Sequence, residues 1–284
     1  MTIHAEVFAA RQRLRDAGIS PTESDLDARL LAQHALGWTT EQFLTDAQAP
    51  PPDGFAVSYD RLIDRRTTRE PLAYIVGYRE FWGLDLLVNT AVLIPRPSTE
   101  LVVEAALELF PDRSAAISVA DICTGSGCVA VAIAHERPAA TVVAADISAS
   151  ALAVASRNAE RHGVSGRVTV RPADLLDGIE GSFDAILANP PYVVQNAGPA
   201  LQPEVRDHEP QVALFGGHDG LGIITRLIKD APSRLRAGGY LVFEFGLGQD
   251  VEIEDLLAGA LELTLVDTRR DLQGIWRIAV AQRV

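Results

Sequence analysis

Hydrophobic positions change their period along the chain, and each change marks a new kind of structure. Up to about residue 70 they recur at helical spacing. Val7 and Leu14, with alanines between them, mark one apolar face. Pro21-Thr22-Glu23-Ser24 breaks that helix and starts a second, which carries Leu26, Leu30, Leu31 and Leu36 and stops at Gly37. Thr39-Thr40-Glu41 opens a short third helix through Phe43 and Leu44. Pro50-Pro51-Pro52-Asp53-Gly54 is a linker, and a fourth helix is expected over roughly 55–68. Residues 72–95 differ: Tyr74, Ile75, Val76, Tyr78, Phe81 and Trp82 are strand formers, punctuated by Gly83 and Asn89-Thr90. They predict a β-hairpin bridging two domains. Next comes a helix with Leu101, Val102, Val103, Ala106, Leu107 and Leu109, for which Ser98 or Thr99 is the expected cap.

From Ser114 onward strands and helices alternate. Apolar strands are expected at 117–122, 141–145, 168–170, 183–188, 240–245, 263–267 and 275–281. An Ala/Val-rich helix follows the first, a helix capped by Ser148 follows the second, and further helices are expected at about 220–235 and 250–257. Such alternation implies an α/β fold: a mainly parallel sheet of seven strands with helices on both faces, its last pair an antiparallel edge. The domains expected are a helical bundle over 1–71, a bridging hairpin over 72–95 and an α/β catalytic domain over 96–284. The helical bundle carries no catalytic constellation. It reads either as a packing domain or as a docking platform for a macromolecular substrate.

Composition narrows the function classes. The 284 residues are 48% hydrophobic, enough for a sizeable core, and the formal net charge is −13. An acidic chain is a poor nonspecific binder of DNA or RNA, which demands a basic surface. The two cysteines, Cys123 and Cys128, flank a glycine loop; they are too few for a zinc site and badly placed for a disulfide. A reduced, cytoplasmic setting is expected. Neither a signal peptide nor a membrane-spanning run is visible, and a monomer is the expectation.

Two stretches carry the candidate chemistry. The first is Asn189-Pro190-Pro191-Tyr192, where an apolar strand ends. Proline has no N–H to give a sheet ladder, so the chain leaves the sheet there in a stiff turn. That turn presents the Asn189 amide, with one acceptor and two donors, against an aromatic wall, which suits the holding of a planar nitrogen. The second is Asp121-Ile122-Cys123-Thr124-Gly125-Ser126-Gly127, a glycine-rich loop between a strand and a helix. A dinucleotide fingerprint would need a third glycine where Ala130 stands. Asp121 also puts a negative charge where a diphosphate would lie, but where an amine could be met. Asp146 closes the next strand, where a carboxylate can take both hydroxyls of a ribose or else cap a helix.

The arrangement resembles a class-I S-adenosylmethionine-dependent methyltransferase, with its Rossmann-like seven-stranded sheet. The resemblance implies S-adenosylmethionine as cofactor and S-adenosylhomocysteine as product. The loop residues Asp121, Cys123, Thr124, Gly125, Ser126 and Gly127 would surround the methionine end. Asp146 would hold the ribose, Asp174 and Leu175 would lie by the adenine, and Asn189 would border the cofactor. The glycine loop together with the Asn-Pro-Pro-Tyr turn is shared by N6-adenine DNA methyltransferases and protein glutamine N5-methyltransferases. Pro71-Leu72-Ala73-Tyr74-Ile75-Val76-Gly77, Ile94-Pro95-Arg96-Pro97 with Thr99-Glu100, His208-Glu209-Pro210 with Ala213-Leu214, Gly216-Gly217 with Asp219-Gly220-Leu221, and 239–246 followed by Gln249 resemble the release factor glutamine methyltransferases. That likeness covers nearly the whole chain. It departs at Ser98 and Cys123, where many members have Glu and Gly, and is loose over 271–277. It implies methylation of the glutamine in the Gly-Gly-Gln motif of class-I peptide release factors. Asn189 and the Pro190 carbonyl would bind the substrate amide and Tyr192 would pack against it. Pro191 and Arg96 join them as candidate substrate-binding residues, although Arg96 reads equally as a surface charge. No metal is implied.

Three alternatives stand beside this one: a glutamine methyltransferase acting on a ribosomal protein, an N6-adenine DNA methyltransferase, and a non-catalytic adaptor that keeps the fold.

Overall fold

The computed structural model describes residues 2–284. The elements begin with α1 (Ile3–Asp16), α2 (Pro21–Leu36), α3 (Thr40–Asp46), α4 (Phe55–Thr67), α5 (Leu72–Val76), β1 (Tyr78–Phe81), β2 (Leu84–Leu87) and α6 (Glu100–Leu109). Next come β3 (Ser118–Ile122), α7 (Cys128–Glu136), β4 (Thr141–Asp146), α8 (Ala149–Arg161), β5 (Val168–Pro172) and β6 (Phe183–Ala188). The chain closes with α9 (Pro203–His208), α10 (Gly222–Asp230), β7 (Leu235–Glu244), α11 (Asp250–Ala258), β8 (Leu263–Arg270) and β9 (Trp276–Arg283). Among the described residues no helix is long and apolar enough to cross a membrane.

One compact unit holds the chain up to Gly77 together with Gln202–His208. Its core is Ile3, Val7, Leu14, Leu31, Phe43, Tyr59 and Ile63 with their neighbours; Leu26 and Leu44, expected on the apolar faces of α2 and α3, are instead exposed, because they fall on the helix sides turned from that core. The strand reading of 74–76 is corrected. Tyr74, Ile75 and Val76 are helical, in a one-turn helix, Leu72–Val76, that follows Pro71 and stops at left-handed Gly77. Burial of Tyr74 and Ile75 overrides the strand preference of their side chains. A buried pair ties α2 to α4: Arg66 Nε donates to Asp27 Oδ2 at 2.7 Å, and Arg66 Nη1 donates to Glu204 Oε1 at 2.9 Å.

The second unit, Tyr78–Leu201 with Glu209–Val284, is the α/β body. The hairpin is short, pairing Tyr78 with Leu87 and Phe81 with Leu84. The seven-stranded sheet runs β5-β4-β3-β6-β7-β9-β8. All pairs are parallel except those of β9, which lies antiparallel between β7 and β8. Residues alternate between two cores, as a pleated strand requires. Val119, Leu187, Val242 and Val280 face α6 and α7; Ala120, Ile186, Leu241 and Ala279 face α10 and α11. The helix expected to run to Leu235 is shorter. It breaks into a 3-10 turn, Ala231–Ser233, around Pro232, and Leu235 already pairs with Phe183 as strand.

This strand order places the site. β3 runs to β4 on one side, and the chain returns to β6 on the other side of β3. Ligands of open α/β sheets bind at such a reversal, beyond the carboxyl ends of the strands. The tips are in register: Ile122 lies opposite both Ala145 and Ala188. The glycine loop, Asp146 and Asn189 therefore leave the sheet side by side, about 4.8 Å apart from one strand to the next.

Candidate active site

The loop after β3 is built from left-handed residues: Cys123, Gly125 and Gly127 have φ of 59°, 54° and 79°. Gly127 has a further reason to lack a side chain. A Cβ there would lie 3.0 Å from Ala155 Cβ, so the glycine lets α8 close onto the start of α7. Thr124 N donates to Ala145 O at 3.0 Å, tying the loop to the tip of β4.

Two carboxylates stand over this loop. Asp121 is buried, and its Oδ2 accepts from Thr124 Oγ1 at 2.5 Å and from Ala130 N at 3.1 Å. Burial pushes its carboxyl up to about 7, against the pull of those two donors. Asp146 Oδ2 accepts from Gly125 N and Oδ1 from Ser148 N, both at 2.9 Å. Burial raises this carboxyl too. Asp146 does not cap α8; Ser148 does, accepting from Ala151 N. A carboxylate has about four acceptor positions, so Asp146 keeps acceptor capacity for a ligand hydroxyl beside these backbone donors.

A single cavity gathers most of the residues singled out in the sequence. Asp121, Cys123, Thr124, Gly125, Ser126, Asp146, Asp174, Leu175, Asn189 and Pro191 all line it. Its other walls are apolar and were not foreseen: Val92 and Leu93 after the hairpin, Ile147, Val212 and Ile223. No short motif marks them, because they come from separate loops. Asp174 is paired with Arg226 Nη2 at 3.0 Å and is about half exposed. The donor set fits a nucleoside carrying an amine: an acceptor pair at Asp146, apolar walls flanking Leu175, and Asp121 on β3 beside the glycine loop.

Gly127, Pro190, Tyr192 and Arg96 stand outside this lining. Gly127 caps α7, and Pro190 is buried. Arg96 pairs with the buried Glu209, whose Oε2 also accepts from Ile94 N at 3.1 Å. The motif around Glu209 thus holds the segment before α6. His208, in the helical unit, has its Nε2 3.2 Å from Thr68 O.

Behind Asn189 lies a polar chain that the sequence reading missed. Asn189 Nδ2 donates to Thr99 Oγ1 at 2.9 Å, and Thr99 Oγ1 donates to Glu244 Oε2 at 2.7 Å. Ser98 Oγ and Tyr192 Oη donate to Glu244 Oε1 at 3.0 and 2.9 Å. Neither Ser98 nor Thr99 makes a side-chain cap of α6, which corrects that expectation: the fully buried Glu244 takes both hydroxyls. Burial raises the Glu244 carboxyl and the Tyr192 phenol. A signal was present, since Glu244 is the lone charge in the apolar run Tyr240-Leu241-Val242-Phe243-Glu244-Phe245. On the main-chain side, Gln249 Nε2 donates to Tyr192 O at 3.1 Å, and Gln249 Oε1 accepts from Gly246 N at 2.8 Å.

Comparison with known proteins gives the family and the fold. Residues 9–77 match the family model described as PrmC N-terminal domain, and residues 99–204 match the methyltransferase small domain. The chain is 40% identical to the release factor glutamine methyltransferase of Bradyrhizobium diazoefficiens, over 96% of this chain and 92% of that protein. It is 39% identical to that of Nitratidesulfovibrio vulgaris, over 99% and 95%. Among solved structures, a methyltransferase from Pyrococcus furiosus superposes with a TM-score of 0.54 at 19% identity, covering 78% of this chain and 98% of that one, a likeness of fold.

Proposed function

This chain belongs to the release factor glutamine methyltransferase family, and on that footing we propose that it methylates the side-chain nitrogen, N5, of the glutamine in the Gly-Gly-Gln motif of class-I peptide chain release factors. The methyl donor is S-adenosylmethionine and the process served is translation termination in the cytoplasm. The enzyme acts as a single chain, with its helical unit docking the release factor. The observation that carries the reading is the Asn189 turn, held in register beside the glycine loop, its amide tethered through Nδ2 so that Oδ1 is left for a substrate.

A carboxamide nitrogen is a weak nucleophile, because its lone pair is delocalised into the carbonyl. When bound, S-adenosylmethionine supplies a methyl group already activated on a sulfonium sulfur. The residues that would hold it are Asp121 and the loop from Cys123 to Gly127 at its amino-acid end, Asp146 at the ribose, and Leu175 with Asp174 at the base. The protein's remaining task is alignment and exclusion of water. Asn189 Oδ1 and the Pro190 carbonyl accept the two hydrogens of the substrate amide, which fixes the nitrogen and favours positive charge developing on it. Tyr192, tied to Glu244, backs the turn, and Pro190 and Pro191 keep it stiff. No general base is assigned: Glu244 is committed to three hydroxyls, and the proton leaves to water after transfer.

The test is label transfer from S-adenosylmethionine to a recombinant class-I release factor, beside a copy with its Gly-Gly-Gln glutamine changed to alanine. Label on the intact factor alone supports the proposal. Label on neither, with donor binding intact, contradicts it and turns the search to ribosomal proteins and then DNA.

A further inference from the structure

An asparagine amide is nearly symmetric in shape but not in chemistry. Turning it over exchanges an acceptor for two donors. If Asn189 is to accept a hydrogen from a substrate amide, something must hold it the right way round, because a flipped Asn189 would set N–H against N–H.

The structure contains a device with that capacity, and it starts at Glu244. This residue sits on β7 with no solvent exposure and receives hydrogens from Ser98, Thr99 and Tyr192. A hydroxyl has one hydrogen to give. The hydrogen of Thr99 goes to Glu244 Oε2, so the side of Thr99 Oγ1 that meets Asn189 offers only a lone pair. Only the Nδ2 end of the amide can satisfy it, and that end is found there at 2.9 Å. Thr99 forgoes capping its own helix to make this bridge. The reversed chain needs a hydrogen on Glu244 to give to Thr99. The Thr99 hydroxyl would then point at Asn189 Oδ1 and turn the acceptor away from the cavity. Both polar side chains of the Asn-Pro-Pro-Tyr turn, Asn189 through Thr99 and Tyr192 directly, are thus anchored on one carboxylate.

We propose that Glu244 is a positioning residue which, through the Thr99 hydroxyl, fixes the Asn189 amide with Oδ1 toward the substrate nitrogen. This rests on the assignment of the Asn189 turn as the substrate-amide cradle. Neither Glu244 nor Thr99 takes a proton from the substrate; they set the polarity of the group that does the binding.

The test compares Thr99→Val, which keeps the shape and removes the hydroxyl, with Thr99→Ser, which restores it. Each is made in the wild-type enzyme and in an Asn189→Ala background. Methyl transfer to the release factor is followed at high enzyme concentration, with donor binding measured by calorimetry. Thr99→Val is expected to lower kcat about 10-fold, the scale of one lost hydrogen bond, with KM and donor affinity close to wild type. Thr99→Ser is expected to recover the rate. In the Asn189→Ala background Thr99→Val is expected to do nothing more, because the amide it orients is gone. A merely structural Thr99 would lower the rate by the same factor in both backgrounds, and that result would overturn the inference. So would a wild-type kcat for Thr99→Val. Absence of transfer by the wild-type enzyme would instead bring down the functional reading, and this inference with it.

Discussion

Substituting Gly216 by alanine adds a single methyl group at a place where the structure has no room for one. Gly216 lies outside the strands and helices, and it is not among the glycines with positive φ; the objection is space alone. A Cβ there would lie 2.4 Å from Gly220 O and 2.5 Å from Pro191 O. Ordinary contact begins at 3.4 Å, so the Pro191 carbonyl or the Gly216 backbone must retreat by about 0.9 Å. Neither moves freely. Gly216 N donates to Val193 O at 3.0 Å, Gly222 N donates to Gly216 O at 3.0 Å, and Val193 N donates to Leu214 O at 2.8 Å. The strain is therefore shared between the 217–220 turn and the Asn189-to-Tyr192 turn. A misplacement of ~1 Å in a positioning element costs about 10²-fold in rate, and overpacking of this kind lowers stability by about 1–3 kcal/mol. The glycine loop and Asp146 lie on other strands, so donor affinity should hold. Steady-state methyl transfer, donor calorimetry and thermal melting on Gly216→Ala read the three effects separately. A rate near wild type, or a loss of donor affinity as large as the loss of rate, would refute the reasoning.

Three further outcomes follow from the same structure. Asp146→Ala removes an acceptor from Gly125 N and Ser148 N as well as the proposed ribose anchor; donor affinity measured by calorimetry should fall at least about ten-fold, with kcat at saturating donor falling less. Because burial lifts the Asp121 carboxyl from 3.8 to about 7, its contribution to stability is complete below pH 3.8 and is lost as pH rises through 7; Asp121→Asn should therefore gain in melting temperature relative to wild type between pH 4 and 8, and parallel curves would contradict the burial argument. In the helical unit, Arg66→Ala leaves Asp27 and Glu204 without their shared cation and should lower stability by about 3–5 kcal/mol in denaturant unfolding.

What the sequence revealed, and what it hid, divides along physical lines. The glycine loop, Asp146 and Asn189-Pro190-Pro191-Tyr192 were legible because each is a local pattern: a turn chemistry at the end of an apolar strand. The seven strands were legible by their period and length, and the last pair, β8 with β9, was rightly expected to form an antiparallel edge. Residues 74–76 misled because aromatic and β-branched side chains favour strands only weakly, and burial in the helical unit decided otherwise. The same weakness made the helix before β7 too long, since Pro232 was outweighed by the apolar run around it. Glu244 was visible as an isolated charge, but its partners were not. Thr99 and Asn189 are separated by 90 residues, and only the folded sheet brings them to one hydrogen bond. The apolar cavity walls at Val92, Val212 and Ile223 were hidden for the same reason.

The central claim is that Asn189 holds the substrate nitrogen and contributes little to holding the donor. Asn189→Ala separates the two most directly, with single-turnover transfer to the release factor measured beside calorimetric titration of S-adenosylmethionine. The expected rate is lower by about 10²–10³-fold, the scale of a lost site hydrogen bond that strengthens in the transition state, with donor affinity close to wild type. An equal fall in rate and donor affinity would contradict it and would make Asn189 part of the donor site instead.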